Sequence, residues 1–148
     1  MRAVVQRVSG ASVSVEGAVR GSCGRGLVVL LGIARDDGAE TAERLAAKVA
    51  RLRVFEEPGG RLDRSLVDVG GEALVVSQFT LLADTSRGRR PSFIRAAPPD
   101  IGNELYQRFT AAVEALGVTV ARGVFGAEMQ VGLINDGPMT IWLDSEAG

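Results

Sequence analysis

Residues 72–82, EALVVSQFTLL, form the stretch that decides how this chain folds. A second apolar run, LVVLLGI, stands at 27–33 and ends just before Asp36-Asp37-Gly38. Apolar runs of this length, rich in valine and leucine, are typical of strands that are buried on both faces. The sequence therefore predicts two strands in the interior of a sheet.

Shorter strand patterns surround these two runs and extend the sheet. Residues 2–8 and 11–16 are rich in β-formers, and Ser9-Gly10 between them predicts a tight turn. Further strands are predicted at 18–24, 118–122, 128–134 and 139–143.

Two segments instead show the helical period. Residues 40–53 place apolar side chains on one face and charged ones on the other, with Thr41 or Asp37 as the candidate cap. A second helix is predicted to follow Pro98-Pro99, with Asp100 as its N-cap, and to end before Gly117. Because the chain has no linker, repeat or composition shift, residues 1–148 are predicted to be one α+β domain. Its sheet should be curved, mostly antiparallel and barrel-like, with two main helices.

The composition is typical of a globular protein, and we expect the protein to act in the cytoplasm. Its 148 residues are 46% hydrophobic and 24% charged, and no apolar run approaches the ~18 residues that span a bilayer. Arg2 and Arg7 leave no apolar segment for a signal peptide near the start. The lone cysteine, Cys23, fits a reducing compartment.

The chain contains no histidine, and this absence restricts the chemistry that is available. It excludes a Ser-His-Asp triad, a Cys-His pair and any histidine-ligated metal, while one cysteine excludes a cysteine-rich zinc site. We therefore expect neither a metal nor a cofactor. If the protein is an enzyme, its base must be a carboxylate, a backbone group or part of the substrate.

Polar residues interrupt the run at 72–82, in the segment Ser77-Gln78-Phe79-Thr80. On a continuing strand, Ser77 and Phe79 would lie on one face and Gln78 and Thr80 on the other. Polar groups at such a place either line a cleft or are satisfied by internal partners. Spacing alone leaves both interpretations open.

A second polar segment, Asn135-Asp136-Gly137-Pro138-Met139-Thr140, lies between two predicted strands. An ordinary turn is the simpler interpretation of this composition. The functional alternative is that Gly137 allows a ligand to approach the backbone closely and that Pro138 presents its neighbouring carbonyls through a cis bond.

Residues 83–99 show no periodicity and predict a long loop with clustered arginines. Arg87, Arg89, Arg90 and Arg95 alternate there with Phe93, a composition that suits phosphate contact and base stacking. A solvated loop is the plainer alternative. The net charge of −1 argues against a protein that coats nucleic acid by bulk electrostatics.

Taken together, six segments in order make the chain resemble the bacterial and eukaryotic form of the D-aminoacyl-tRNA deacylase family. They are MRAVVQRVSGASV, VGGEALVVSQFTL, ADTSRGRRPSF, RAAPP, GVFGAEMQV and NDGPMT. Two of them contain the family's signature motifs, at Ser77 to Thr80 and at Asn135 to Thr140. Met139 stands where the family more often has valine.

The resemblance implies hydrolysis of the ester between a D-amino acid and tRNA by a homodimer with active sites at the subunit interface. Ser77, Gln78, Phe79 and Thr80 would position the ester, assisted by the 2′-hydroxyl of the substrate ribose. Chiral selection would fall to a cis Gly137-Pro138 bond that reaches into the partner's pocket, with Met139 and Thr140 beside it. The resemblance further assigns Arg7 to holding this segment, and Phe125 and Met129 to the pocket wall.

Selection by a main-chain clash would reject L-amino acids but not glycine, so mischarged glycyl-tRNA is a further expected substrate. Arg87, Arg89 and Arg90 are candidates for contact with tRNA, and no membrane partner is expected. Two alternatives from other functional classes are a non-catalytic RNA-binding module that uses the arginine loop and a small metabolite-binding oligomer.

Overall fold

The computed structural model describes residues 1–147 and has the predicted α+β architecture. Its strands are β1 (Arg2–Val15), β2 (Ala18–Cys23), β3 (Gly26–Gly32), β4 (Phe55–Glu56), β5 (Leu62–Arg64), β6 (Glu72–Ser77), β7 (Thr119–Arg122) and β8 (Gln130–Asp144). The helices are α1 (Ala39–Arg51), the short α2 (Leu66–Val69) and α3 (Pro99–Glu114).

The main sheet has the order β2-β1-β3-β6-β7, and β8 pairs with the other edge of β1. β1 is antiparallel to β2, β3 and β8, whereas β3-β6 and β6-β7 are parallel. The sheet curves until β2 meets β7, where a Cβ at Gly21 would lie 2.6 Å from the Arg122 carbonyl oxygen. This near closure, with two main helices, confirms the predicted barrel-like fold.

Two breaks that the sequence predicted between strands were wrong. Ser9-Gly10 is not a turn, because β1 runs unbroken from Arg2 to Val15, and Asn135 to Thr140 is not a turn, because β8 is also one strand. The two strands pair along most of their length with register shifts between Gln6 and Gly10. A bulge absorbs the irregular residues there while the flanking backbone groups keep their hydrogen bonds, so turn-like composition does not require a turn.

The helices α1 and α3 cover one face of the sheet. Tyr106 and Phe109 of α3 are fully buried against β3 and β6, and the Tyr106 hydroxyl donates to the Val75 carbonyl at 2.6 Å. A second apolar cluster fills the opposite face, around Val13, Val28 and Val76. No helix within residues 1–147 is long and apolar enough to cross a membrane.

The predicted helix caps were also wrong. Helix α1 begins after Gly38 without a side-chain cap, because Asp37 instead accepts hydrogen bonds from the Met1 ammonium and the Ala34 N–H. Helix α3 begins at Pro99, so that Asp100 lies in its first turn instead of capping it. Proline suits this place because its fixed φ matches the helix and its missing N–H would be unpaired there in any case.

Candidate active site

The polar segment 77–80, which interrupts the run at 72–82, leaves the strand and enters a turn. β6 ends at Ser77, and residues Phe79–Leu82 form one 3₁₀ turn. The Gln78 N–H donates to the Leu31 carbonyl of β3 at 2.7 Å, which extends the β3 pairing by one residue. The first hydrogen bond of the turn comes from the Leu81 N–H to the Gln78 carbonyl, at 3.2 Å.

Two backbone donors are left free by this geometry. The N–H groups of Phe79 and Thr80 precede the first hydrogen bond of the turn, so neither has a partner within it. Adjacent free N–H groups of this kind form the usual cradle for an oxyanion or another anionic group. The start of the turn can therefore stabilise negative charge without any charged side chain.

The expectation that Gln78 and Thr80 would share one face of a continuing strand was wrong, because β6 ends at Ser77. Since the strand has ended, their side chains meet across the turn, where Gln78 Nε2 donates to Thr80 Oγ1 at 2.5 Å. The Thr80 hydroxyl is exposed and has this amide as its neighbour, and an amide cannot remove a proton from it. The pair orders the turn but does not generate a nucleophile.

Two adjoining cavities open at this turn and share Ser77, Phe79 and Gly126. One, of about 190 Å³, is also lined by Gln78 and Met129. The other, of about 400 Å³, is lined further by Arg35, Phe93, Ala96, Ala97, Pro98, Pro99 and Phe125. The structure thus brings Phe125 and Met129 beside the 77–80 segment.

An aromatic pair stands at the mouth of the larger cavity. The rings of Phe79 and Phe93 are 5.2 Å apart at 73°, although the side chains remain 57% and 37% exposed. Large exposed aromatic rings beside a cavity are suited to stacking on a flat ligand.

The second predicted segment lies elsewhere in the chain, on β8. The Gly137-Pro138 bond is cis, and both residues are exposed. The Asn135 side-chain amide donates to the Arg7 and Met139 carbonyls, at 2.9 and 3.1 Å. None of the residues from Gly137 to Thr140 lines either cavity, so within one chain the two predicted segments do not form a common pocket.

Arg7 and Gln6 hold this part of β8 from the neighbouring strand β1. The Arg7 side chain is only 8% exposed, and its Nε donates to the Asp136 carbonyl at 3.2 Å. Gln6 Nε2 donates to Thr140 Oγ1 at 3.2 Å. Met139 turns inward and packs against the main core.

The arginine loop is anchored at its base and exposed at its tip. Asp84 and Ser92 exchange two backbone hydrogen bonds, of 2.8 and 2.9 Å, and Arg87, Arg89 and Arg90 between them are exposed. Hydrogen bonds from the Ser86 backbone and side chain hold the pKa of the Asp84 carboxyl below its usual range. Arg95, by contrast, lies beside Glu146 at 3.5 Å.

Three residues near the turn were missed by sequence reasoning: Arg2, Gly32 and Arg35. Arg2 donates to the Leu81 carbonyl at 2.8 Å, and Arg35 lines the larger cavity. A Cβ at Gly32 would lie 2.9 Å from the Gln78 carbonyl oxygen. All three are distant from residues 77–80 in the chain, so no local pattern could have found them.

Comparison with known proteins gives these features a context. A family model described as D-Tyr-tRNA(Tyr) deacylase matches residues 4–144. The chain belongs to this deacylase family. Its D-aminoacyl-tRNA deacylase relative in Deinococcus radiodurans is 58% identical over 144 residues, which cover 97% of this chain and 99% of the relative. The relative of the same name in Roseiflexus castenholzii is 59% identical, with 98% and 92% covered.

Two solved structures are also similar to this chain. A protein named c-Myc DNA Unwinding Element Binding Protein is 40% identical with a TM-score of 0.91, over 97% of this chain and 98% of that one. A probable eukaryotic D-amino acid tRNA deacylase is 20% identical with a TM-score of 0.81, over 96% and 97% of the two chains. The second likeness supports the fold alone. The resemblance to the deacylase family is confirmed over nearly the whole chain.

Proposed function

We propose that this protein hydrolyses the ester bond of D-aminoacyl-tRNA and releases the free D-amino acid and tRNA. Membership of the deacylase family supports the reaction class. The single structural observation that carries the proposal is a pair of adjacent N–H groups, of Phe79 and Thr80, that have no partner within residues 1–147 and stand at the turn where Phe79 lines both cavities. They are suited to the negative charge that develops on the ester oxygen in the transition state.

Catalysis would rely on the substrate for its proton acceptor. The two cavity walls contain no carboxylate among the described residues, the chain has no histidine, and Thr80 has only an amide beside it. We assign the assisting group to the 2′-hydroxyl of the terminal ribose, which lies next to the ester. Ser77, Gln78 and Thr80 would position ester and adenosine, so that much of the rate enhancement comes from orientation.

Chiral selection would come from a second copy of the chain. Gly137 and Pro138 are exposed and lie outside the cavities of their own chain, on a strand with one unpaired edge. Ile134 and Trp142 on the same strand are 69% and 53% exposed, as expected of a face that another subunit covers. In a homodimer the Gly137 and Pro138 carbonyls would enter the partner's pocket and hold the substrate amine, so that an L side chain collides with backbone.

The tRNA would be held beside the cavities. Arg87, Arg89 and Arg90 are exposed on the loop that also supplies Phe93, and the Phe79-Phe93 pair offers a stacking surface. Arginines contact phosphates and aromatic rings stack on unpaired bases, which suits the single-stranded 3′ end of tRNA. We place the reaction in the cytoplasm, where aminoacyl-tRNA is used.

Deacylation of matched D- and L-aminoacyl-tRNA pairs tests this function. We expect release of the D-amino acid and survival of the L ester. Equal protection of both esters, with binding of the tRNA, would instead support a non-catalytic nucleic-acid-binding protein, the alternative suggested by the name of the 40%-identical protein.

A further inference from the structure

Arg2 connects the start of β1 to the turn at the candidate active site. Its Nη1 donates to the Leu81 carbonyl at 2.8 Å, and Leu81 is the third residue of the 3₁₀ turn Phe79–Leu82. Within a longer 3₁₀ helix that carbonyl would accept from the N–H of Asp84. The Asp84 N–H instead donates to Ser92, so the guanidinium supplies a partner that the turn itself cannot.

The guanidinium is itself fixed by β8. Arg2 Nε donates to Asp144 Oδ2 at 3.3 Å, and the guanidinium carbon lies 5.7 Å from the centre of the Trp142 ring. Burial tends to raise the pKa of Asp144, but hydrogen bonds from the Glu146 N–H and from Arg2 hold it below its usual range. The carboxylate is therefore charged at neutral pH and keeps Arg2 in one orientation.

The turn also packs closely on the sheet beside Arg2. Arg2 is the cross-strand partner of Gly32, and a Cβ on Gly32 would lie 2.7 Å from Leu82 Cδ2 and 3.1 Å from Leu81 Cβ. The end of the turn therefore packs on β3, and Arg2 on the neighbouring strand β1 donates a hydrogen bond to it. Because one turn of 3₁₀ helix is short, a shift at Leu81 displaces its first N–H groups too.

We propose that Arg2 is a positioning residue for ester hydrolysis. It holds the Leu81 carbonyl and thereby fixes the orientation of the Phe79 and Thr80 N–H groups. The inference rests on the proposed deacylase function. Arg2 touches no substrate in this scheme and acts only through the turn. Its loss should therefore affect the chemical step rather than substrate binding, since the cavity walls and the arginine loop remain in place.

Single-turnover deacylation of D-aminoacyl-tRNA by Arg2→Met and Arg2→Lys tests this role. Methionine keeps the apolar stem of the side chain, whereas lysine also keeps one charged donor that can reach the Leu81 carbonyl. We expect Arg2→Met to lower the rate constant of the chemical step about tenfold or more with KM changed less than about twofold, and Arg2→Lys to recover most of the loss. The amide protons of Leu81 and Ala83, which donate to the Gln78 and Thr80 carbonyls within the turn, should also exchange faster in Arg2→Met, while that of Val75 in the core should not.

Arg53→Met is the matched control, because Arg53 forms an exposed ion pair with Asp63 away from the turn. It should keep the wild-type rate. A normal rate for folded Arg2→Met, even with a lowered Tm, would overturn the proposal and leave Arg2 a stabilising residue. If Arg2→Met does not fold, the test falls to Arg2→Lys. A folded Arg2→Lys variant with less than one-tenth of the wild-type rate would also overturn the proposal. An inactive wild-type protein would instead refute the deacylase function itself.

Discussion

Arg7 and Asp136 are joined at two points across β1 and β8. Arg7 Nε donates to the Asp136 carbonyl at 3.2 Å and lies 3.1 Å from a carboxylate oxygen of the same residue. Its Nη1 donates to the Val54 carbonyl at 2.6 Å. One buried guanidinium therefore fixes the residue that directly precedes Gly137 and anchors it to the main body of the protein.

We expect Arg7→Ala to weaken chiral discrimination. Without the guanidinium, Asp136 loses its anchor and the Gly137-Pro138 carbonyls lose their fixed position. The Val54 carbonyl also loses its partner, so the free energy of unfolding should fall by about 1–3 kcal/mol. The measurement is the ratio of D- to L-aminoacyl-tRNA hydrolysis at a temperature where the variant is folded.

Asp136→Asn is the matched control for this variant. It keeps the backbone carbonyl and the Arg7-Val54 bond and weakens only the ion pair, so its selectivity should stay closer to wild type. An Arg7→Ala protein that is active and still fully D-selective would assign Arg7 to folding alone.

We expect Thr80→Ala to retain much of its activity, because the Thr80 hydroxyl has the Gln78 amide and no base beside it. Loss of a true nucleophile costs on the order of 10³-fold or more in rate. The complementary substrate ends in 2′-deoxyadenosine and should bind but be hydrolysed far more slowly. A folded Thr80→Ala variant without activity would contradict substrate assistance.

Glycyl-tRNA should be cleaved whereas L-alanyl-tRNA should not. A backbone clash can reject only a side chain that is present, and glycine has none. The missing methyl group reduces binding by only about 1 kcal/mol. Parallel hydrolysis assays with protein in excess decide this: if both esters survive while the D ester is cleaved, the pocket recognises the D side chain directly.

Gly32→Ala should impair both stability and activity. The new Cβ would lie 2.7 Å from Leu82 Cδ2 and 2.9 Å from the Gln78 carbonyl oxygen, so the turn must move off β3. Such overpacking costs about 1–3 kcal/mol. Gly38→Ala is the control, because nothing lies within 4 Å of its Cβ and its φ is −130°. Equal deacylation rates for the two variants would show that the turn tolerates displacement.

Burial of Tyr106 should make stability decline between pH 10 and pH 12, and Tyr106→Phe should reduce this decline. Burial raises the pKa of Tyr106 from 10.0 to about 12, against weaker opposing effects of Arg122 and the Gly123 N–H. The contribution of Tyr106 to the free energy of unfolding is therefore fully present below its pKa in the unfolded chain. It is lost as the pH rises through its pKa in the folded protein. Denaturant unfolding across this range measures it. At neutral pH the free energy of unfolding of the variant should be about 1 kcal/mol lower, because the hydrogen bond to the Val75 carbonyl is lost. An unchanged alkaline decline would place its cause elsewhere.

The buried strands and the two main helices could be predicted because their signals are local. The run at 27–33 became β3, and the helical period at 40–53 became α1, since hydrophobic periodicity is a property of neighbouring residues. The strand at 72–82 was predicted too long. It ends at Ser77 because the chain turns to pack on Gly32, 45 positions away, and nothing in the local pattern encodes that contact.

The sequence by itself determined the α+β class, the family and the absence of histidine chemistry, because composition and ordered segments do not depend on folding. Only the tertiary structure decided that Asn135 to Thr140 continue a strand rather than form a turn, and that the Gly137-Pro138 segment lies outside the cavities of its own chain. It also decided that Arg2 and Arg7, on one strand, each hold a different predicted segment. These relationships join residues 79 and 129 positions apart, and backbone pairing across the sheet brings them within hydrogen-bonding distance.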